Sequence, residues 1–295
     1  MPIMHEFAYA KPSRLAEAVS LLSGQKQTAI LAGGTDLIDL LKENILMPAL
    51  LVDLKGIGEL GEISFTGNAL RIGANVTFTE LLESDIVRRN FPVIGELAET
   101  IASVGIRNRA TLAGNICSAV PSMDGGPLLS AFDASVSAVG PGGTRDIPAA
   151  SFFLAPRRTS LRPGEIVSAV TLPLPPVPYA GCWVKLGRYA GEDLAQVNLL
   201  VLALNDGSFR ISFGAVAPVP VRAQRIESLL RGRTITPDLL EEGRQMVEQE
   251  IAPISDIRAS KEYRMHMAKI MLTRGIEAAA ARLRGSGPAY GTSVI

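Results

Sequence analysis

Of cysteine and histidine the chain has two each, and of tryptophan a single residue, in 295 positions. Cys117 and Cys182 cannot build a disulfide framework, and with only His5 and His266 beside them there is no ligand set for structural zinc or an iron–sulfur cluster. Net charge is also missing: 29 Lys and Arg face 29 Asp and Glu. Without a basic block there is no electrostatic basis for a nucleic-acid groove, and without a basic amphipathic stretch none for a membrane surface. No apolar run reaches the roughly 20 residues of a spanning helix; the longest, around Val197 to Leu204, is broken by Asn198. The opening MPIMHEFAYAKPS has no basic region ahead of an apolar block, so a secretory signal is not expected, and a reducing cytoplasm is. No acid–base pair or activated nucleophile stands out either. Small molecules and other proteins are the partners left.

What is present is core material, 47% hydrophobic residues against 20% charged, in a length that favours two or three domains. Ser13 is placed to cap a helix carrying Leu15, Val19 and Leu22 on one face, which Gly24 ends. TAILAGGTDLIDLLKEN then reads as strand, glycine loop, helix. ALLVDL and ALRIGA look like strands, and Thr77 with Glu80 has the spacing of a capping box. Ile94, Leu97, Ala98 and Ile101 predict a helix over much of 92 to 104. From 132 to 172 short strands alternate with turns, and EIVSAVTLPLP reads as an edge strand ending in prolines. PLPPVP, residues 173 to 178, is the expected hinge. Beyond it Asn205, Asp206 and Gly207 turn a hairpin, Thr236 caps a helix ahead of Pro237, and 259 to 283 is a long helix before a frayed tail.

Two glycine loops carry what chemistry there is. AGGTD follows an apolar strand and opens a helix, which gathers backbone N–H groups in a way that suits a phosphate, with the Thr35 hydroxyl as a further donor. Alone this is a weak signal, since a Gly-Gly pair after a strand is more often a plain turn. Neither a G-x-G-x-x-G nor a G-K-[ST] motif is present, so Rossmann and P-loop sites have no support. RNRATLAGNIC repeats the chemistry through Thr111, Gly114 and Asn115, and two such loops can clamp a pyrophosphate from both sides. Arg107 and Arg109 lie nearby, although arginine there is ordinarily a solvated or structural charge. Asp124 is a turn residue on the bland reading and an acceptor for ribose or ribityl hydroxyls on the functional one.

At this point a resemblance becomes specific. ILAGGTDL, IRNRATLAGNIC, PSMD, EIVSAVTLP, WVKLGRYAGEDLAQVN, FGAVAPVPVRA and SDIRASKEYR, in this order, resemble the FAD-binding medium subunit of the molybdenum hydroxylases, the xanthine dehydrogenase and carbon monoxide dehydrogenase relatives. The likeness runs from about residue 4 to 285. It implies an α+β chain with a vanillyl-alcohol-oxidase-like, PCMH-type FAD-binding domain, its subdomains at 1–55 and 56–175, then a C-terminal domain of antiparallel sheet and helices at 176–285 and a flexible tail at 286–295. It further implies FAD contacts from Leu31, Ala32, Gly33, Gly34, Thr35, Asp36 and Leu37 in the first loop and Thr111, Ala113, Gly114 and Asn115 in the second. Ile101, Ala102, Asp124, Val167 and Lys185 complete the implied set. From the residues alone, Val167 would be core and Lys185 a surface strand lysine.

The family's second loop is usually T-x-G-G-N, and here an alanine, Ala113, stands at the first glycine. If that position needs φ > 0 the alanine is strained by roughly 1–2 kcal/mol, and if it needs only a small side chain the alanine is harmless, which is the option expected here. The implied function is that of an electron-transfer oxidoreductase subunit. It would take electrons from a [2Fe–2S] small subunit and pass them to an external acceptor such as NAD⁺, while the substrate is hydroxylated on a molybdopterin-binding large subunit, most like the xanthine dehydrogenase type. A flavin carries its own redox chemistry, which accounts for the missing acid–base set. The alternatives are a degenerate or assembly subunit with weak FAD binding, and a stand-alone FAD oxidase, for which Tyr189 and Cys117 would be the residues to watch.

Overall fold

The computed structural model describes residues 3–24, 27–189 and 193–295; Ala190 to Glu192 of the quoted WVKLGRYAGEDLAQVN stretch lie outside them. Three sheets organise the chain. The first is parallel, with β1 (Ala8–Ala10) and β2 (Thr28–Leu31) flanking β3 (Leu50–Asp53). Its connections are α1 (Leu15–Gly24) and α2 (Leu37–Lys42). Parallel strands need such crossovers, and the first glycine loop is the turn from β2 into α2.

The second sheet has five antiparallel strands in the order β4-β5-β10-β6-β7. They are β4 (Ile63–Thr66), β5 (Ala69–Gly73), β6 (Ser135–Gly140), β7 (Gly143–Pro148) and β10 (Ile166–Pro173). A small hairpin of β8 (Phe153–Ala155) and β9 (Arg158–Thr159) precedes β10. The sequence reading of β10 as an edge strand is overturned: it is the central strand, paired with β5 and β6, because its prolines fall only at its end, where no further ladder bond is needed. Between β5 and β6 run α3 (Phe78–Glu83), α4 (Asp85–Asn90), α5 (Pro92–Glu99), α6 (Val104–Arg107), α7 (Leu112–Ser118) and α8 (Gly125–Ala131), with α9 (Ala149–Phe152) after β7. The capping box of Thr77 and Glu80 opens α3 as the spacing predicts. Of the helix expected over much of 92 to 104, α5 forms the first part and stops at Glu99, beyond which Ala102 turns left-handed at φ +35°.

The third sheet is the antiparallel set β11 (Tyr179–Leu186), β12 (Val197–Leu204), β13 (Phe209–Gly214) and β14 (Val221–Arg222), followed by α10 (Gln224–Leu230), α11 (Pro237–Glu250) and α12 (Lys261–Leu283). Gly207, at φ +79°, supplies the turn between β12 and β13. All eight residues of β12 are buried, which explains its nearly unbroken apolar run. Leu200, Leu202 and Leu204 pack with the core of the first two units, while Leu199, Val201 and Ala203 pack under α12. Where the sequence suggests a frayed tail, the last residues fold back: the Tyr290 hydroxyl accepts from the Gly181 amide at 3.1 Å and its ring lies 4.2 Å from the Arg282 guanidinium. An aromatic ring with a polar tip finds both partners at once there, a contact local periodicity does not encode.

On the second sheet Arg145 donates to both Glu165 oxygens at 2.7 and 2.8 Å. This guanidinium holds the Glu165 carboxyl below the usual range, outweighing the burial that would raise it. The pair therefore stabilises the fold fully above the unfolded carboxyl value, about 4.3, and the contribution disappears as pH falls through the lower folded value. We expect Arg145→Gln to be less stable than the native chain at neutral pH, with the gap closing in acid. Urea midpoints followed from pH 7 down to about 3 would check it, and a gap that stays constant would contradict it.

Candidate cofactor site

The site grows from the first glycine loop. Gly34 sits at φ +83°, which favours glycine, and lets the chain turn from β2 into α2. A Cβ on Gly33 would lie 2.1 Å from the Arg109 carbonyl oxygen, so the first loop rests directly on the turn that leads into the second. The amides of Gly33, Gly34, Thr35 and Asp36 donate no hydrogen bond among the described residues. Gly33, Gly34 and Thr35 are only half-buried and Asp36 is exposed. Four successive amides without an internal acceptor, open to the outside, are free to donate to an anion that docks there. Lys55 bonds the Ala32 carbonyl at 3.4 Å and Asp53 at 2.7 Å, pinning the loop from below. Leu31 and Leu37 flank the loop half-buried. The carboxyl of Asp36 is held above the ordinary range by desolvation, with Arg157 opposing and Asp39 adding to the rise.

The second loop is the start of α7. Thr111 is its N-cap, its hydroxyl accepting from Gly114 N at 2.9 Å. Ala113 lies in the first turn of the helix, buried, and is not among the residues with positive φ. Alanine there is unstrained and favours the helix over glycine by about 1 kcal/mol. Asn115 accepts from Gly125 N at 2.8 Å through Oδ1, while its Nδ2 donates nowhere among the described residues. A Cβ on Gly125 would come within 2.9 Å of that oxygen, so glycine is required for the link.

Asp124, next to Gly125, is where the third sheet enters. Lys185 and Asn198 are directly opposed across β11 and β12, and both face the second unit. Lys185 Nζ donates to Asp124 Oδ2 at 2.7 Å and to the Thr100 carbonyl at 3.0 Å, and Asn198 Nδ2 donates to Asp124 Oδ1 at 2.8 Å. The side chains of Lys185 and Asp124 are each 8% exposed, so Lys185 is no surface lysine. Thr100 leads straight into Ile101 and Ala102, whose carbonyls accept from Arg107 at 2.8 and 3.0 Å. Both loops, Asp124, Lys185 and the Ile101–Ala102 pair thus form one connected wall. Val167 stands apart in that chain of contacts: it is a buried residue of β10 in the apolar core, beside a bulge in the pairing with β6. The sequence reading missed Asn198, whose signal was a lone amide in an apolar run, and Thr100, which had none. The unpartnered Asn198 Oδ1 points at Gly214, where a Cβ would lie 2.2 Å from it.

Known proteins resemble this chain along nearly its whole length. Residues 5–175 match the FAD binding domain in molybdopterin dehydrogenase, and residues 184–279 match the carbon monoxide dehydrogenase flavoprotein C-terminal domain. The chain belongs to the FAD-binding subunits of the molybdenum hydroxylases. It is 34% identical to the xanthine dehydrogenase FAD-binding subunit of Escherichia coli O157:H7, over 96% of this chain and 99% of that one. To the carbon monoxide dehydrogenase medium chain of Afipia carboxidovorans it is 33% identical, over 94% and 98%. Among solved structures, carbon monoxide dehydrogenase from Hydrogenophaga pseudoflava superposes with a TM-score of 0.91 at 31% identity, over 96% of this chain and 99% of that one. Quinoline 2-oxidoreductase from Pseudomonas putida 86 gives 0.90 at 28%, over 97% and 99%. FAD is the family's cofactor, and the donor set fits it: four unbonded amides suited to a pyrophosphate, on a loop whose Gly33 packs against the backbone of the second. Among the described residues no helix is long and apolar enough to cross a membrane, and no group of His, Cys, Asp and Glu could hold a metal ion.

Proposed function

We propose that this flavoprotein subunit is the electron-transfer component of a three-part molybdenum hydroxylase of the xanthine dehydrogenase type. Its partners are a [2Fe–2S] small subunit and a molybdopterin-binding large subunit, and its terminal acceptor is NAD⁺. When bound, FAD supplies the exchange between one-electron and two-electron carriers. The observation that carries the reading is the row of four amides, Gly33 to Asp36, lying against the second loop. They and the Asn115 Nδ2 hold the pyrophosphate, while Thr111 and Gly114 shape the second loop as cap and helix start. Asp124 and Lys185 fix the junction with the third sheet and close the site beside Ile101 and Ala102. Val167 joins the set only through the family resemblance, as a core residue of β10. The unstrained Ala113 supports full over weakened FAD binding. Both cysteines are free, in keeping with a reducing cytoplasm.

The test is the visible spectrum of the co-expressed complex and of the chain alone. We expect about one FAD per chain, and bleaching of its bands by NADH under anaerobic conditions. A folded complex without flavin would remove the reading, and a flavin that NADH leaves oxidised would remove NAD⁺ as acceptor. Lys185→Met should weaken flavin retention by roughly 10–100-fold, since it leaves Asp124 buried without its counter-charge; equilibrium dialysis of the deflavinated chain against FAD measures it.

A further inference from the structure

The segment that follows α5 is built against its own backbone preference. α5 ends at Glu99, and the carbonyls from Glu99 to Ala102, at and just beyond that end, all accept from side-chain cations. Arg107 Nη1 donates to Glu99 O at 3.4 Å, Ile101 O at 2.8 Å and Ala102 O at 3.0 Å, and Lys185 Nζ donates to Thr100 O at 3.0 Å. The two cations come from different parts of the chain, Arg107 from α6 and Lys185 from β11. A third tie is the Trp183 indole N–H, which donates to Thr100 Oγ1 at 3.0 Å. Within this turn Ala102 is at φ +35°, a conformation that costs a residue with a Cβ roughly 1–2 kcal/mol and persists only where its surroundings impose it.

We propose that Arg107 is a positioning residue of the FAD site. Its guanidinium draws the carbonyls of residues 99, 101 and 102 onto one nitrogen, and so imposes the left-handed turn that presents Ile101 and Ala102 to the flavin. Arg107 does not touch the cofactor. Because it also ends the helix from which the chain runs to Arg109 and the second glycine loop, one side chain sets the flavin-facing turn relative to the pyrophosphate loops. This rests on the FAD reading above for the place of Ile101 and Ala102. Lysine cannot replace it fully, since its ammonium sits on a shorter side chain and falls short of the position that the guanidinium nitrogen takes among the three carbonyls.

The test is FAD affinity of the deflavinated full chain, read by quenching of flavin fluorescence, alongside thermal unfolding without FAD. Arg107→Met should weaken FAD by roughly tenfold, the worth of a lost charge-assisted bond, and Arg107→Lys by less. The deciding variant is Ala102→Gly, because glycine takes a positive φ at no steric cost. Measured against Ala102→Gly alone, the added Arg107→Met should then cost much less than the roughly tenfold it costs in the native background. Equal FAD affinity in Arg107→Met and native chain overturns the proposal, as does an Arg107→Met defect that Ala102→Gly leaves intact, which would mean that Arg107 supports stability and not the turn. A native chain that takes up no FAD is a different failure, that of the cofactor reading itself.

Discussion

Gly33→Ala will leave the chain folded and strip it of flavin. The added Cβ would stand 2.1 Å from the Arg109 carbonyl oxygen and 2.8 Å from its carbon, where real Cβ atoms essentially never come below 3.0 Å. Both obstacles are backbone, so no rotamer change relieves them, and one glycine loop has to move by about 1 Å against the other. A site of this kind tolerates only about 0.5 Å of misplacement. The four amides that the loop presents would lose their common direction, and we expect FAD affinity to fall at least 100-fold, or about 3 kcal/mol. The cost to the fold is smaller, because Gly33 is half-buried at the rim and outside the apolar core. Gly58→Ala is the control, since a Cβ there meets nothing within 4 Å. Dialysis against FAD with parallel thermal melts separates the two effects. Native-like affinity in Gly33→Ala would mean that the loops do not clamp the ligand together.

Arg282→Met should produce the largest loss of stability. Arg282 and Glu96 form a bidentate pair at 2.7 and 3.0 Å with side chains only 4% and 5% exposed. The guanidinium also donates to Gly181 O at 2.8 Å, Pro288 O at 2.8 Å and Ala289 O at 3.0 Å. Glu96 for its part accepts from the Trp183 amide at 2.8 Å, so α5, β11, α12 and the last residues meet at one ion pair. Without Arg282 the carboxylate stays buried with amide donors and no counter-charge, a loss of about 3–5 kcal/mol. Replacing both members, Glu96→Leu with Arg282→Met, should recover part of it, because the uncompensated charge is then gone. Urea unfolding followed by emission of Trp183, the one tryptophan in the sequence, reports on this junction directly. If the single variant unfolds with the native chain, the pair contributes nothing to stability.

Much of the local structure was legible because the signal is carried within a few residues. Thr77 with Glu80, Thr236 ahead of Pro237, and Asp206 with Gly207 each fix a cap or a turn by chemistry reaching no further than the next turn of chain. The two glycine loops were legible for the same reason: a strand, glycines and a helix start announce unbonded amides. The errors fall where the deciding contact is distant in sequence. Whether a strand is edge or centre depends on what pairs beside it, and β10 gains β5 and β6 from about 100 and 30 residues away. The turn after α5 is held by cations at residues 107 and 185, and the last residues by Arg282 and Gly181.

The sequence by itself determined the family, the cofactor and the two glycine loops, since these rest on residue types in a fixed order along the chain. Only the tertiary structure decided that the loops touch through Gly33, that Asn198 joins Lys185 on Asp124, and that Ala102 is held left-handed from two sides. The physical reason is that hydrogen bonding and exclusion act between atoms a few ångströms apart, whereas order along a chain fixes spacing only over the reach of a turn or a strand.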